Sequence, residues 1–511
     1  MSVYYDLIRP EVQSMVPYGA RRILDVGCAS GVMGAALKRR QPCSVTGVES
    51  VPEVAERAKD TLDYVIGGDI EDDTVLDSIP AGYFDCVICS DVIEHLRNPE
   101  RVLKRLAACL TPNGCLVACV PNVRHWSVLK GLLEGRWDYQ DAGILDRTHL
   151  RFYTRASLTK MFEDIEYVVT DICGVPVKDA EDVPAGLADA LRKFGVDAHG
   201  LDKEGKIYQY LLTATPVRTR RSSFIPPPSR APGETPVASL VMLALNQLEY
   251  TQNCILSLFE NTPIPHELIV VDNGSTDGTA DFLKRLSARW PHVKVISNAS
   301  NLGFAGGNNQ GMAAARGDYV VLLNNDLLFT PGWLEKMLVW MQEDPSVGLV
   351  GPCSNHGNGC LEVSGGYSNM EELARFAAEF ERRHERRGFA VKRLVGFCLA
   401  IRRAVIDAIG GLDEGFGIGN FEDNDYCLRA RAAGFACWIA ADTFIHHVGS
   451  QTFNGEKIDH GYWMDFGWSR FKKKWNLNTS HTYNLPYEID VSSVSRDKLY
   501  FPLPEPMTAR V

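Results

Sequence analysis

Two sets of polar residues in this sequence have types and spacings suited to chemistry. In the first, RILDVGCASGVMGAAL reads as strand, tight turn and helix, with Asp25 and Gly27 at the turn and Gly31 opening the helix. Such a turn brings backbone close to a ligand. A dinucleotide fingerprint beginning at Gly27 would need glycine at position 29 and a small residue at 32, but the chain has Ala29 and Val32. The pattern therefore suits a ligand with ribose hydroxyls and no pyrophosphate, and Glu49, closing the next strand, can accept from both hydroxyls. In the second set, Asp272 ends the run ELIVVD before a glycine turn, where a carboxylate can accept from a base N–H. NLGFAGGNNQGM, residues 301 to 312, reads as a loop leading to a helix, able to approach a diphosphate or sugar through Asn301, Gly303 and Asn308. Asp326 ends the apolar run YVVLLNND, an arrangement that packing alone uses poorly. FEDND gathers Glu422, Asp423 and Asp425, and FIHHVGS ends a further apolar run in His446 and His447.

These residues need elements to hold them. Short β-rich runs alternate with amphipathic helical stretches on both sides of TPVRTRRSSFIPPPSRAPGETP, residues 215 to 236, where proline, serine and arginine replace the apolar pattern. That grammar predicts two α/β domains with mainly parallel sheets, over 1–214 and 237–490, a semi-rigid linker between them, and a surface tail over 491–511. With 511 residues the chain exceeds what one core usually serves. The 64 acidic against 53 basic residues give a net charge of −11, which argues against nucleic acid as a partner. No apolar stretch approaches the ~20 residues of a membrane span, and MSVYYDLIRPE has no signal core, so a cytoplasmic location is expected. The 14 cysteines read as reduced core thiols, since Cys86 and Cys89, the one C-x-x-C pair, fall on opposite faces of a strand.

Over roughly residues 1 to 215 the chain resembles the class I S-adenosylmethionine-dependent methyltransferases, with a Rossmann-like fold. DVGCASG looks like their first motif, Glu49 like the ribose-binding acid, GGDIED like the segment whose Asp69 faces the adenine amine, and FDCVICSDVIEHL like their fourth strand. The resemblance implies S-adenosylmethionine bound by Asp25, Gly27, Ala29, Gly31, Glu49 and Asp69, and methyl transfer to an oxygen, nitrogen or carbon. His95, after the fourth strand, and His149, in LDRTHLRFYT, are two separate candidates for the general base.

Over about residues 237 to 480 the chain resembles the family 2 glycosyltransferases of the GT-A fold, in particular their rhamnosyltransferase-like branch. Asn324, Asn325 and Asp326 stand where that family carries its D-x-D-like motif, Asp326 matching the metal-binding acid. Asp423, flanked by Glu422, matches the catalytic base, and His447, with His446 as the alternative, matches the metal- or diphosphate-binding histidine. The resemblance implies a nucleotide-sugar donor, Mn²⁺ or Mg²⁺ at Asp326 and His447, inversion in a single displacement, and a glycan, lipid-linked glycan or glycoprotein acceptor. WMDFGWSRFKKKWNL either lies on a membrane surface or packs its aromatics inward with its lysines in solvent. The sequence leaves two further readings open. One makes the N-terminal half a non-catalytic module; the other, a nucleotidyltransferase, lacks the basic phosphate loop that such enzymes place after the first strand.

Overall fold

The computed structural model describes residues 8–177, 181–225, 236–356, 362–363, 365–449, 459–477, 488–490 and 494–506. The chain forms two compact units; among the described residues the first takes everything up to Val217 together with Glu488 and Ile489, and the second takes the rest from Arg218 onward. Residues 226–235 of the proline-rich stretch lie outside the described residues.

The first unit is built on β1 (Arg22–Val26), β2 (Ser44–Glu49), β3 (Tyr64–Gly67), β4 (Phe84–Ser90), β5 (Leu110–Pro121), β6 (Tyr167–Pro176) and β7 (Ile207–Pro216), in the order β3-β2-β1-β4-β5-β7-β6. The first five run parallel, and β7 lies antiparallel to both β5 and β6. The central strands are buried on both faces, as parallel strands covered by crossover helices must be. Cys86 and Cys89, three apart in β4, enter two different cores, one on each face. The connections themselves are locally specified. The helix Pro99–Cys109 starts at a proline behind Asn98, whose side chain accepts from the Arg101 amide at 3.0 Å.

In the second unit β8 (Arg218–Thr219), β9 (Ala238–Ala244), β10 (His266–Asp272), β11 (Val293–Ser297) and β12 (Tyr319–Asn324) are followed by the short β13 (Leu327–Leu328), then by β14 (Val347–Cys353), β15 (Arg387–Val391), β16 (Cys398–Arg402), β17 (Ala436–Phe444) and β18 (His446–His447). Nine of them form one mixed sheet, β11-β10-β9-β12-β16-β14-β17-β15-β8, and β13 pairs separately with β18. In both units the chain moves outward from its first core strand through two parallel strands, then returns to that strand's other side, β4 beside β1 and β12 beside β9. This reversal opens a crevice at the carboxyl ends of those strands, where α/β sheets bind ligands.

Five expectations change. The stretch read as a linker over 215–236 begins as sheet, since Thr215 and Pro216 end β7 and Arg218 and Thr219 form β8. The second sheet is mixed instead of mainly parallel, with β16 antiparallel to β12 and β14, and β15 antiparallel to β17 and β8. The segment 301–312 is a helix from Gly303 onward (Gly303–Ala314), and its glycines serve packing. A Cβ at Gly307 would lie 2.3 Å from Leu243, and one at Gly311 would lie 2.2 Å from Val241, so the helix rests on β9 closer than side chains permit. Phe501, in the stretch read as a surface tail, is tied to the second unit: its carbonyl accepts from the Gly411 amide at 2.8 Å and its amide donates to Ile409 at 3.1 Å. The helix His460–Trp475 does turn Trp468, Phe471 and Trp475 inward, but Lys474 goes with them. Its ammonium lies 2.9 Å from Asp413 and 2.6 Å from the buried Asp425, and Lys473 is the exposed one. No helix among the described residues is long and apolar enough to cross a membrane.

Candidate functional site

In the first unit the end of β1 delivers Asp25, 1% exposed, to the crevice. One of its oxygens meets no hydrogen-bond partner among the described residues. Burial, and after it the nearby Glu49 charge, push the Asp25 carboxyl up to about 7. Three consecutive odd positions then take left-handed backbone: Gly27 at φ 70°, Ala29 at φ 48° and Gly31 at φ 82°. At Gly27 a Cβ would lie 2.7 Å from Val92, and at Gly31 one would lie 2.2 Å from Thr61. The turn exposes the Ala29 amide, which donates to Glu49 at 3.0 Å, while the Val51 amide donates to the other Glu49 oxygen at 2.9 Å. Glu49 is thereby oriented, with lone pairs left for hydroxyls. Asp69 lies exposed on the loop after β3, bonded to the Glu71 amide at 2.9 Å. The unpartnered Asp25 oxygen and the pre-oriented Glu49 fit a ligand carrying a cation and a ribose diol.

His95 and His149, separate in the sequence reading, come together: their rings stand edge to face with centroids 4.8 Å apart. His149 Nδ1 lies 2.9 Å from the Ile144 carbonyl. His95 Nδ1 lies 3.3 Å from the Thr148 carbonyl and 3.2 Å from its hydroxyl. Burial and the neighbouring His149 lower the His95 pKa, so it rests neutral. Close to both lies Glu94, with one ligand atom each from the three residues within 4.8 Å of the others; the sequence reading passed over it because a buried glutamate after an apolar strand has no sequence signal of its own.

In the second unit the strand ends converge likewise. Asp272, at the end of β10, accepts from the Ser275 amide at 2.9 Å and shapes the turn beside a cavity of about 460 Å³, lined in part by Asn246, Gly274, Thr276, Asn301 and Trp463. Asn301 accepts from Asn273 and from the Gly303 amide, both at 2.8 Å. Gly303 has φ 79° and lies so close to Gly417 that a Cβ would sit 2.2 Å from its carbonyl oxygen. Asn308 is buried within the helix and donates to the Phe304 carbonyl at 2.9 Å.

The pairing of β13 with β18 sets Leu327 opposite His447 and Leu328 opposite His446. His447 Nε2 consequently lies 3.3 Å from Asp326 and 3.5 Å from the Asn324 amide nitrogen. His446, on the opposite face, meets the Tyr367 hydroxyl at 2.7 Å. Asn325 points elsewhere, donating to Thr251 at 2.8 Å. The Asp326 oxygen facing His447 Nε2 has that ring as its neighbour but makes no hydrogen bond, and His447 Nδ1 is buried without a hydrogen-bond partner among the described residues. With one imidazole and one carboxylate they are a donor set that fits Mn²⁺.

Asp423 stands in the first turn of the helix Glu422–Ala432, behind Asn420 and Phe421, both left-handed at φ 81° and 73°. One of its oxygens accepts from the Gly396 amide at 2.9 Å. Phe397, next in the chain, stacks on His447 with centroids 4.9 Å apart, and its carbonyl accepts from the Asn324 amide at 2.9 Å. Asp423 is thus joined through Gly396 and Phe397 to the Asn324, Asp326 and His447 group. Burial raises the pKa of Asp423, and burial and then the Asp423 charge raise that of Glu422. Asp425 is turned inward, fully buried with Arg429 at 2.8 Å.

Two family models match the chain: "Methyltransferase domain" over residues 6–172 and "Glycosyl transferase family 2" over residues 239–410. The chain joins a methyltransferase domain to a family 2 glycosyltransferase domain. Among similar proteins, y4gI of Sinorhizobium fredii is 30% identical over 42% of this chain and 24% of its own length. The N-acetylglucosaminyl-diphospho-decaprenol L-rhamnosyltransferase of Mycobacterium tuberculosis is 25% identical over 48% of this chain and 91% of its own. A solved S-adenosylmethionine-dependent methyltransferase from Archaeoglobus fulgidus matches at TM-score 0.31 and 18% identity, covering 42% of this chain and 92% of that one. The chain spans about a quarter to a third of the first two curated relatives, 24% and 36%. The methyltransferase domain carries the Asp25 and Glu49 crevice, and the glycosyltransferase domain carries the Asp326 and His447 pair.

Proposed function

We propose that the glycosyltransferase domain moves a sugar from a nucleoside diphosphate to an acceptor hydroxyl with inversion, and that the methyltransferase domain methylates the same glycan or its acceptor from S-adenosylmethionine. The observation that carries the first part is the meeting of Asp326, His447 and Asn324 at one strand end, with Asp423 joined to them through Gly396 and Phe397. Asp423 takes the proton of the acceptor hydroxyl as that oxygen bonds to the anomeric carbon, while the bond to diphosphate breaks with its electrons leaving on the phosphate. A divalent cation held by Asp326 and His447 would supply charge neutralisation for the departing diphosphate. The cavity beside Asn246, Thr276 and Asn301 suits the nucleoside end of the donor.

In the methyltransferase domain Glu49 would hold the ribose hydroxyls, and the buried Asp25 would face the cationic methionyl end. The name of the mycobacterial relative, which acts on a diphospho-decaprenol-linked sugar, favours a lipid-linked saccharide acceptor met at the inner face of a membrane. Two transferases on one chain raise the local concentration of each site near the other's product. The test is a hydrolysis screen of nucleotide sugars with and without Mn²⁺, scored by released nucleoside diphosphate, with tritiated methyl incorporation into the accepted saccharide as the second readout. Asp326→Ala is expected to remove sugar transfer, and Glu49→Ala methyl incorporation. Free pyrophosphate as the product, or full transfer by Asp326→Ala, overturns the reading.

A further inference from the structure

Glu94 is a carboxylate that the fold leaves without a task. It is the middle residue of the short 3₁₀ turn Ile93–His95 after β4 and is 1% exposed, and neither of its oxygens meets a hydrogen-bond donor among the described residues. A buried carboxylate in that condition is costly unless something cationic reaches it. Asp91, three residues earlier, is not such an orphan, because Arg9 pairs with it. Glu94 is instead held from the other side: its backbone carbonyl accepts from the amides of Leu150 at 2.8 Å and Arg151 at 3.1 Å, which fastens the segment bearing His149 against it.

One ligand atom each from Glu94, His95 and His149 falls within 4.8 Å of the others. The hydrogen bonds behind the two imidazoles decide which atoms these are. His149 Nδ1 donates to the Ile144 carbonyl, so Nε2 keeps its lone pair. The Thr148 hydroxyl gives its proton to Asp146 at 2.6 Å, so both that hydroxyl and the Thr148 carbonyl are acceptors for His95 Nδ1–H. His95 Nε2 is therefore also an acceptor. Two imidazoles fixed in the Nδ1–H tautomer by carbonyls behind them, beside an unpartnered carboxylate, have the orientation of metal-ligating histidines.

We propose that Glu94, His95 and His149 form a site for a first-row divalent cation at the mouth of the methyltransferase crevice. Their ligand atoms lie within 4.8 Å of one another, and a cation of this kind holds such atoms at roughly 2.0–2.2 Å from itself. Two nitrogens and one oxygen leave coordination positions open, and they favour Mn²⁺, Fe²⁺, Co²⁺ or Zn²⁺ over Mg²⁺. β4 and β1 are parallel neighbours, Val26 opposite Cys89, so the cluster lies at the same sheet edge as Asp25. The open positions would take an acceptor hydroxyl. That oxygen loses its proton to water, its lone pair forms the O–CH₃ bond, and the electrons of the S–CH₃ bond stay on sulfur as the neutral thioether. This role rests on the methyltransferase reading; the binding of the cation does not.

The experiment uses the full chain with Co²⁺ as probe and neither methyl donor nor acceptor present, so a failure of methyl transfer and a failure of the site are told apart. In an Asp326→Asn background, which removes the carboxylate of the other candidate cation site, in the second unit, Co²⁺ is expected to bind at one equivalent with visible d–d absorption. Glu94→Gln and His149→Ala are each expected to weaken it by at least about tenfold. Unchanged Co²⁺ affinity in both variants overturns the site. The wild-type chain supplies a measurement that no folding defect can confound. Modification of His95 by diethyl pyrocarbonate, followed by peptide mass, is expected to slow at least about tenfold when Co²⁺ is added; equal rates with and without the cation refute the site.

Discussion

Asp25 places a carboxyl in the apolar end of β1, and burial raises its pKa from 3.8 to about 7. Between those values the folded chain holds a proton that the unfolded chain has lost. The stability that goes with the neutral carboxyl is complete below about 4 and is lost as pH rises to about 7. Asparagine carries no such term. Asp25→Asn is therefore expected to gain on the wild type by about 2 to 3 kcal/mol between pH 5 and pH 8, read from urea midpoints of the first unit; a constant gap means Asp25 is ionised throughout. Asp423 gives the opposite dependence in rate. As a base it must be ionised, and its pKa is raised by burial, so kcat/KM should fall about tenfold per pH unit below a limb lying above the usual aspartate range. A flat profile from pH 5 to pH 9 would assign the base elsewhere. The acids at strand ends, Asp25, Asp272 and Asp326, could be picked out in the sequence because an apolar run seldom ends in a carboxylate for packing reasons. The sequence already favours His447 over His446, and the β13–β18 register shows why the two differ: adjacent residues in a strand face opposite ways, His447 toward Asp326 and His446 toward Tyr367. Glu94 needed three-dimensional contacts altogether.

At the scale of elements, the same residue types serve unlike purposes. The glycines and asparagines of Gly303–Ala314 have the composition of a ligand loop, yet Gly307 and Gly311 let a helix lie on β9, and Asn309 binds the Leu412 carbonyl at 3.0 Å. Composition alone does not separate close approach to a ligand from close approach to a strand. The basic run of the helix His460–Trp475 is similarly ambiguous, since FKKKW has the same letters whether its lysines meet water or carboxylates. Lys474 meets Asp413 and Asp425. Burial opposes the Asp413 charge, but Lys474, the Gly415 amide and Arg470 more than offset it and hold that carboxyl below its usual range. Lys474→Met leaves two buried acids one partner short each and is expected to destabilise the second unit by about 3 kcal/mol. Lys473→Met, at an exposed position, should change stability by less than about 0.5 kcal/mol. Equal effects of the two in urea unfolding would place Lys474 in solvent.

For the whole molecule, the alternation of short apolar runs with amphipathic helices revealed two α/β units, because buried strands and the helices covering them have different periods. It did not reveal that β7 enters between β5 and β6 in the reverse direction, since a strand buried on both faces reads alike in either direction. Each unit packs its own apolar residues, around Leu24, Val87 and Leu116 in the first and around Val241, Leu322 and Trp333 in the second. Cores that are filled separately melt separately unless the surface between them is large and apolar. Calorimetry of the full chain is therefore expected to resolve two transitions. A ligand that binds only the native form of one unit raises that unit's transition by RT ln(1 + [L]/Kd), about 2.7 kcal/mol at a hundredfold excess over Kd. S-adenosylmethionine should lift one transition and leave the other in place, a nucleoside diphosphate with Mn²⁺ should do the reverse, and Glu49→Ala should abolish only the first response. A single transition that both ligands move together would mean that the two units unfold as one.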